Sequence, residues 1–388
     1  MKIKLGDVCT FQSGGTPTKE TEEFFNGTIP WITTTALNGG KIDGTQAVNW
    51  ITEKAIEKSA AKLVPAFSIM VGTRVGVGKV AVNTVQMSTS QDIISLINID
   101  ENQWDKDYLC KYIQGKNAFL NSQARGATIK GIKMDVLANL ELEEITLENQ
   151  ARISETIDRV KAILDARKSE LLELDKLVKA RFAELFGHPD INEKEWKVND
   201  MDQLCEVSSS KRIYQNEQSM TGIPFLRISD LVNRMDAGTK ECDLHIPKVL
   251  FEELKDKGLV PSTGDILLTA RGTLGRCYIV QEDDEFYFQD GMITWLSKFD
   301  SEITPLYISC LFEMPGFRKQ IDELQAGSTV AYLSISMTKK LKVMVPPVEL
   351  QNQFADFVHQ VDKSKAAVQK SLDETQVLFD SLMQKYFG

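Results

Sequence analysis

The chain carries one unit twice, and that duplication limits what it can fold into more than any single motif does. Phe186-Gly187 and Phe387-Gly388 stand 201 residues apart, and the same offset relates Gly126 and Thr128 to Gly327 and Thr329, Gln150 to Gln351, and Ile153 to Phe354. Further upstream the offset drifts. Val8-Cys9 matches Leu204-Cys205 at 196, Ile29-Pro30-Trp31 matches Ile223-Pro224-Phe225 at 194, and Leu63-Val64-Pro65 matches Leu259-Val260-Pro261 at 196. Arg74 and Gly78-Lys79 match Arg271 and Gly275-Arg276 at 197, and Gln91-Asp92 matches Gln289-Asp290 at 198. The first part of each repeat therefore tolerates loop insertions, and the second part does not.

The part with the fixed offset reads as a long helix. Positions spaced by three and four from Ile153 are Ile157, Val160, Leu164, Arg167, Leu171, Leu174, Val178, Arg181 and Leu185. The second copy gives Phe354, Val358, Val361, Lys365, Val368, Leu372, Thr375, Phe379, Leu382 and Tyr386. An apolar stripe held this long without Pro or Gly is a coiled-coil seam rather than an ordinary surface helix. Gly187 and Pro189 stop the first helix, and Gly388 stands at the equivalent place after the second. The 388 residues suit two or three domains. The expected order is a globular domain over 1–147, a helix over 148–187, a second globular domain over 188–347 and a second helix over 348–388.

Both globular parts read as mixed and rich in strands. Strands are expected at Ser68–Val71, Val77–Asn83, Asp265–Leu268 and Cys277–Val280, and helices near Thr52–Lys62, Lys248–Lys257, Lys106–Ser122 and Thr304–Leu324. The fold class is thus α+β, with two pseudo-symmetric α/β domains separated by a helix pair. The second helix needs a cover for its apolar face, and the first is the nearest, so the two should run antiparallel. A helix of roughly 34 residues spans ~50 Å, about 15 base pairs of B-DNA at ~3.4 Å each. Such a rod would set the spacing of a two-part DNA site, and a four-residue block inserted between Leu171 and Leu177 should lengthen that spacing by one or two base pairs.

Composition narrows the chemistry. No run of about 18 apolar residues is present, and the first residues lack the apolar stretch of a signal peptide, so a cytoplasmic location is expected. The six cysteines at 9, 110, 205, 242, 277 and 310 and the three histidines form no metal-ligand spacing, which points to buried thiols, with no metal and no disulfides. The net charge is −10, but it is uneven. Residues 1–147 hold 15 bases against 16 acids, while 188–347 hold 18 against 25. Net charge alone neither requires nor forbids nucleic acid as a partner.

Catalytic patterns fail on inspection. Gly72 to Lys79 has five residues before Gly78-Lys79 and Val80 where a phosphate loop needs Ser or Thr. Gly76-x-Gly78-x-x-Ala81 leads into a strand pattern, not the helix a dinucleotide site requires. Pro346-Pro347 between valines is no methyltransferase loop, and Glu195-x-Lys197 lacks the distant acid of a nuclease. The chain therefore reads as non-catalytic, with no cofactor of its own.

Binding is the stronger signal. Arg74/Lys79 and Arg271/Arg276 occupy equivalent glycine-flanked turns. Arg125, Thr128 and Lys130, and Ser328 and Thr329, lie in equivalent Gly/Thr loops. Thr33-Thr34-Thr35 follows Ile29-Pro30-Trp31 where Arg227-Ile228-Ser229 follows Ile223-Pro224-Phe225, and Arg212 joins Arg227, Arg271 and Arg276 as the set expected to serve the second half. Bases, hydroxyls and free N–H groups in such loops suit DNA phosphates and base edges. Arg167 and Arg181 sit in the helical seam, where they would snorkel or bond a partner. A coiled-coil scaffold joining two protein-binding domains, or a methyltransferase or nuclease in its own right, are the rival readings.

The whole chain resembles the specificity subunits of type I restriction-modification systems. The residues that carry the resemblance are Leu5-Gly6-Asp7-Val8, Phe186-Gly187-His188-Pro189-Asp190-x-Asn192 running to Trp196, Gly126-x-Thr128 and Gly327-x-Thr329, Val345-Pro346-Pro347, and Leu350-Gln351-x-x-Phe354. Glu143-Glu144-Ile145-Thr146-Leu147 replaces the Pro-Pro in the first half, and Met201-Asp202-Gln203 replaces Leu-Gly-Asp in the second. The resemblance implies two target-recognition domains, each reading one part of a split, asymmetric site in double-stranded DNA, as part of a defence against foreign DNA. It also implies two modification subunits docked on the helices, carrying S-adenosylmethionine, and restriction subunits carrying ATP and Mg.

Overall fold

The computed structural model describes residues 2–126, 130–325 and 331–388. Two compact units divide the chain, one formed by Met1–Lys168 with Lys370–Gly388 and the other by Ser169–Gln369. Each unit thus holds one globular half together with a piece of both long helices.

The first half runs through β1 (Lys2–Lys4), β2 (Thr10–Ser13), β3 (Phe25–Ile32), β4 (Lys41–Ile42), β5 (Asn49–Ile51), α1 (Glu53–Lys58), β6 (Leu63–Val64), β7 (Ile69–Gly72), β8 (Val80–Asn83), β9 (Met87–Thr89) and β10 (Ile93–Ile97). Then come α2 (Lys106–Gly115), α3 (Asn117–Gln123), α4 (Met134–Ala138), β11 (Glu141–Glu143) and the first long helix, α5 (Leu147–Phe186). One sheet has the order β2-β10-β7-β8-β4, a second has β5-β3-β9-β6, and β1 pairs with β11. The central strands are buried on both faces. Ile69 and Val71 of β7 and Val80 and Val82 of β8 join the core beneath α2, while Met70 and Ala81 point the other way, towards Ile32, Leu37 and Met87. This period-two alternation between two apolar layers is why the strands read as continuous apolar runs.

The second half repeats the plan with β12 (Lys197–Asp200), β13 (Glu206–Ser208), β14 (Ile223–Leu226), α6 (Ile228–Ala237), β15 (His245–Ile246), α7 (Lys248–Asp256), β16 (Ile266–Thr269), β17 (Cys277–Ile279), β18 (Tyr287–Phe288) and β19 (Ile293–Ser297). It ends with α8 (Pro305–Phe312), α9 (Pro315–Leu324), α10 (Ile335–Lys339), β20 (Lys342–Val345) and the second long helix, α11 (Val348–Phe387). Its sheets are β13-β19-β16-β17, β15-β14-β18 and β12-β20. Among the described residues, counterparts of β4 and β6 are missing from these sheets. The parallel pair β3–β9 reappears as β14–β18.

Three details depart from the sequence reading. The helices expected over Lys106–Ser122 and Thr304–Leu324 are each two helices. Met314 is extended ahead of Pro315, which opens α9, and Lys116 breaks the run between α2 and α3. The segment after β14 is not a loop matching Thr33–Thr35 but the helix α6, closed by Gly238 in the left-handed region. Its Arg234 makes a buried ion pair with Asp284 at 2.8 Å and lies over the Phe286 ring. Asp284 also accepts from the Tyr278 hydroxyl at 2.6 Å and from the Gln281 N–H at 2.9 Å. The Gln-Asp match at offset 198 is also shifted. Ser90 N–H donates to Ile32 as Gln289 N–H donates to Leu226, while Thr73 and Ala270 bond Asp92 and Met292, so the second turn holds an extra residue at Gly291.

The long helices pack antiparallel within each unit. In the first unit Ile153 and Ile157 of α5 share a core with Phe379, Leu382, Met383 and Phe387 of α11. In the second unit Phe182 and Phe186 of α5 meet Phe354 edge-to-face, and Lys365 bridges Asp175 at 2.5 Å. All twenty expected seam positions are buried or half-buried. Each long helix is also tied to its own half by a buried glutamine. Gln150 Oε1 accepts from Asp105 N–H at 2.8 Å while its amide donates to the Gln103 and Ile145 carbonyls. Gln351 does the same with Thr304, Glu302 and Pro346.

Candidate nucleic-acid interface

In the first half three loops meet beside the end of β7. Thr73 N–H donates to Asp92 O, Ile132 N–H donates to Thr73 O, and Arg125 and Gly131 exchange both backbone bonds. The tight turn between β7 and β8 needs Gly78, whose φ is +78° and whose missing Cβ would lie 2.7 Å from the Asn117 amide. Asn121 of α3 holds the adjacent Val77 carbonyl at 3.1 Å. On this framework Arg74, Gln123, Arg125, Lys133 and Asp135 line a cleft of about 590 Å³. Arg74 approaches Asp92 at 3.9 Å. Lys79, Arg125, Lys130 and Lys133 make no ion pair among the described residues, and all four are exposed. Lys133, which the sequence reading does not single out, lines the same cleft three residues beyond Lys130. Thr33 and Thr35 exchange a hydroxyl bond at 2.8 Å at the surface. Thr34, expected beside them as a contact residue, is buried and faces the close approach at Gly72.

The second half keeps the turn and changes its charges. Gly275 has φ +72°, and Arg318 of α9 donates to the Leu274 carbonyl at 2.6 Å, in the role Asn121 has in the first half. Arg271 lies over the Tyr332 ring, 5.0 Å from its centre, and pairs with Tyr332 through the backbone. The other three candidate contact arginines are each held by carboxylates. Arg276 takes both oxygens of Asp236 at 2.5 and 3.2 Å. Arg227 bonds Asp230 at 2.9 Å and reaches Asp243 at 3.3 Å. Arg212 donates through Nε to Asp290 at 2.8 Å. These hydrogen bonds raise all three guanidinium pKa values above the ordinary one. Thr128, Ser328 and Thr329 lie outside the described residues.

On the helices Arg181 bonds Glu184 at 2.7 Å and stands over the Phe357 ring, while Arg167 is half-buried in the seam. The cysteines are free and none is exposed. Burial pushes the thiols of Cys9, Cys110, Cys205 and Cys310 up to about 12, so they stay neutral.

The sequence profile of the type I restriction modification DNA specificity domain matches residues 1–174 and 193–375, once in each repeat. The chain belongs to that family. Its relatives include the MjaIX specificity subunit of Methanocaldococcus jannaschii, 22% identical over 98% of this chain and 91% of that protein. The EcoR124I/EcoR124II specificity subunit of Escherichia coli is 29% identical over 40% of this chain and 39% of its own length. Among solved structures, the S subunit of the type I system from M. genitalium aligns over 100% of this chain and 96% of its own, with a TM-score of 0.55 at 17% identity. A chain from a study of complex assembly and conformational transition of the type I system reaches 0.64 at 16%, covering 100% and 97%. This specificity subunit therefore has the fold expected from its resemblance, and its role is DNA recognition within a restriction-modification complex. No helix among the described residues is long and apolar enough to cross a membrane.

Proposed function

We propose that the two halves read the two parts of a split, asymmetric site in double-stranded DNA, each through the loops that gather beside the β7–β8 or β16–β17 turn. The observation that carries this reading is the repeat itself: one hydrogen-bonded framework, presented twice, with different side chains at matching surface positions. In the first half Thr33, Thr35, Arg74, Lys79, Arg125, Thr128 and Lys130 are the contact residues, with Lys133 added. In the second half they are Arg212, Arg227, Arg271, Arg276, Ser328 and Thr329. Cations without a carboxylate partner suit phosphates, which position the duplex, and oriented guanidinium groups suit base edges.

The subunit supplies no catalytic group in this reading. Two modification subunits dock on the faces of α5 and α11 turned away from their mutual seam, where Ile163, Leu172, Leu177, Val377 and Leu378 are exposed. Arg167 and Arg181, at seam positions, are the candidate partner-binding arginines. The modification subunits carry S-adenosylmethionine, the restriction subunits carry ATP and Mg, and the complex works in the cytoplasm. The test is to exchange residues 1–147 for the corresponding domain of another family member and map methylated sites by sequencing. One half-site should change and the other stay. A change in both, or in neither, would refute independent reading.

A further inference from the structure

The loop that opens the second half is fixed more firmly than a surface loop requires. Tyr287, fully buried, clamps Lys211 from both sides: its oxygen accepts from Lys211 N–H at 2.8 Å, and its hydroxyl donates to Lys211 O at 3.2 Å. Ser210 Oγ donates to Phe288 O at 2.7 Å, and Ser209 Oγ donates to Ile293 O at 3.0 Å. Next along the chain is Arg212, whose side chain is 65% exposed. Its Nε is taken by Asp290, a carboxylate placed by the turn at Gly291, whose N–H reaches Ser209. Neither terminal nitrogen of Arg212 bonds any described residue. The other two carboxylate-bound arginines of the candidate set differ. Arg276 spends both terminal nitrogens on Asp236, and Arg227 spends Nε and one terminal nitrogen on Asp230 and Asp243. Among the described residues, Arg212 alone of the three is both oriented and left with an open fork.

The first half has the same platform with another side chain. Gln12 pairs with Ser95 as Ser208 pairs with Trp295, so Thr16 occupies the place of Arg212. The Trp31 indole N–H holds Gly15 O at 3.0 Å, the job Tyr287 does for Lys211. A shared rigid platform whose one projecting residue differs is what a position that sets sequence preference requires.

We propose that Arg212, steadied by Asp290, is a base-reading residue of the second half that places its two terminal nitrogens on O6 and N7 of a guanine in the major groove. This rests on the reading that the halves bind DNA. Paired arginine of this kind contributes discrimination rather than bulk attraction, because Asp290 offsets its charge.

The test uses the full-length chain assembled with its modification subunits, comparing wild type with Arg212→Ala, Arg212→Lys and Asp290→Asn. Methylated sites are mapped by sequencing, and binding to duplexes carrying the mapped site is measured across salt. Arg212→Ala should make one guanine position of one half-site degenerate, with discrimination there falling roughly 10–100-fold, and leave the other half-site unchanged. Arg212→Lys, which keeps the charge, should not restore it, and Asp290→Asn should relax the same position less. If Arg212→Ala weakens all sequences alike and lowers the salt slope by about one, or if Arg212→Lys behaves as wild type, the residue is a phosphate contact and the proposal is overturned. No effect in any variant overturns it as well. A wild-type complex without sequence preference would instead bring down the broader reading.

Discussion

The two halves share a hydrogen-bonded frame and differ in how their cations are held. Around the first turn Lys79, Arg125, Lys130 and Lys133 have no carboxylate partner among the described residues, and Arg74 only approaches one. Around the second, Arg212, Arg227 and Arg276 are bound to aspartates. The surplus of acids in 188–347 is therefore not spread at random, since part of it sits directly on the arginines. Duplication kept the bonds that fix the loops, such as those to Val77 and Leu274, and the charge placement diverged on top of them. The first half leaves its cations open, and the second holds them on carboxylates.

The buried pair of Arg234 and Asp284 is where this contrast should cost most to break. It belongs to α6, which takes the place of the segment that forms β4 in the first half. Arg234→Met leaves a fully buried carboxylate with only Tyr278, the Gln281 N–H and a more distant Lys240. The expected loss is about 3 kcal/mol, confined to the second half and read by hydrogen exchange resolved along the chain. A loss spread evenly over both halves would mean that the pair does not belong to the second half alone.

Where the frame is shared, the effects should match. Gln150→Ala and Gln351→Ala each strip a buried N–H and two carbonyls of their partner, and each should cost about 2 kcal/mol in denaturant unfolding. Gln351 has one more bond, from the Thr304 hydroxyl at 3.1 Å, so its variant should be slightly worse. A clear effect in one and none in the other would end the equivalence.

The legible parts of this fold were the periodic ones. The seam from Ile153 to Leu185 stood in the sequence because helical spacing is local, and Gln150 and Gln351 stood out because their offset was fixed. What did not show was set by distant residues. Nothing near Arg212 announces Asp290, 78 positions away, and nothing near Ile32 announces its parallel pairing with Thr89. The helix α6 did have a signal, with Leu231 and Arg234 on one face and Gly238 as a stop. Matching Arg227-Ile228-Ser229 to three threonines concealed it. The cations stood in the sequence as residues, but the carboxylates that pair with Arg212, Arg227 and Arg276 are brought near only by the fold.

Salt dependence sharpens the charge contrast. A cation that displaces counterions from one phosphate contributes about 0.9 to the slope of log affinity against log salt. Lys79→Ala should lower the slope by about that much. Arg276→Ala should lower it by clearly less, because Asp236 already neutralises the side chain. The measurement is binding of the assembled complex to one duplex between about 50 and 200 mM salt. Equal slopes for the two variants would show that the Asp236 pair opens on DNA, and the difference between the halves would then be one of the free protein alone.

The smallest effect expected is at Asp265. The turn before β16 is closed by this carboxylate, which accepts from Ser262 N–H at 2.8 Å and from the Trp295 indole at 2.9 Å, both on one oxygen. The equivalent turn before β7 is closed by the neutral amide of Asn83, which accepts from Ser68 N–H at 2.7 Å and donates to Pro65 O. Burial raises the Asp265 pKa above the usual carboxylate value, outweighing the two bonds that favour the charged form. The folded state thus prefers the protonated acid. Its contribution to stability is complete below the unfolded pKa, near 3.8, and is lost as pH rises through the folded one. Asparagine keeps an oxygen for both donors and does not titrate. Asp265→Asn should therefore gain on wild type as pH climbs from about 4, then hold a constant advantage below about 1 kcal/mol at neutral pH. Thermal unfolding of both proteins across that range gives the sign directly. An advantage that shrinks as pH rises would mean that the charged carboxylate is favoured in the fold, and that the second half uses charge at this turn where the first half uses an amide.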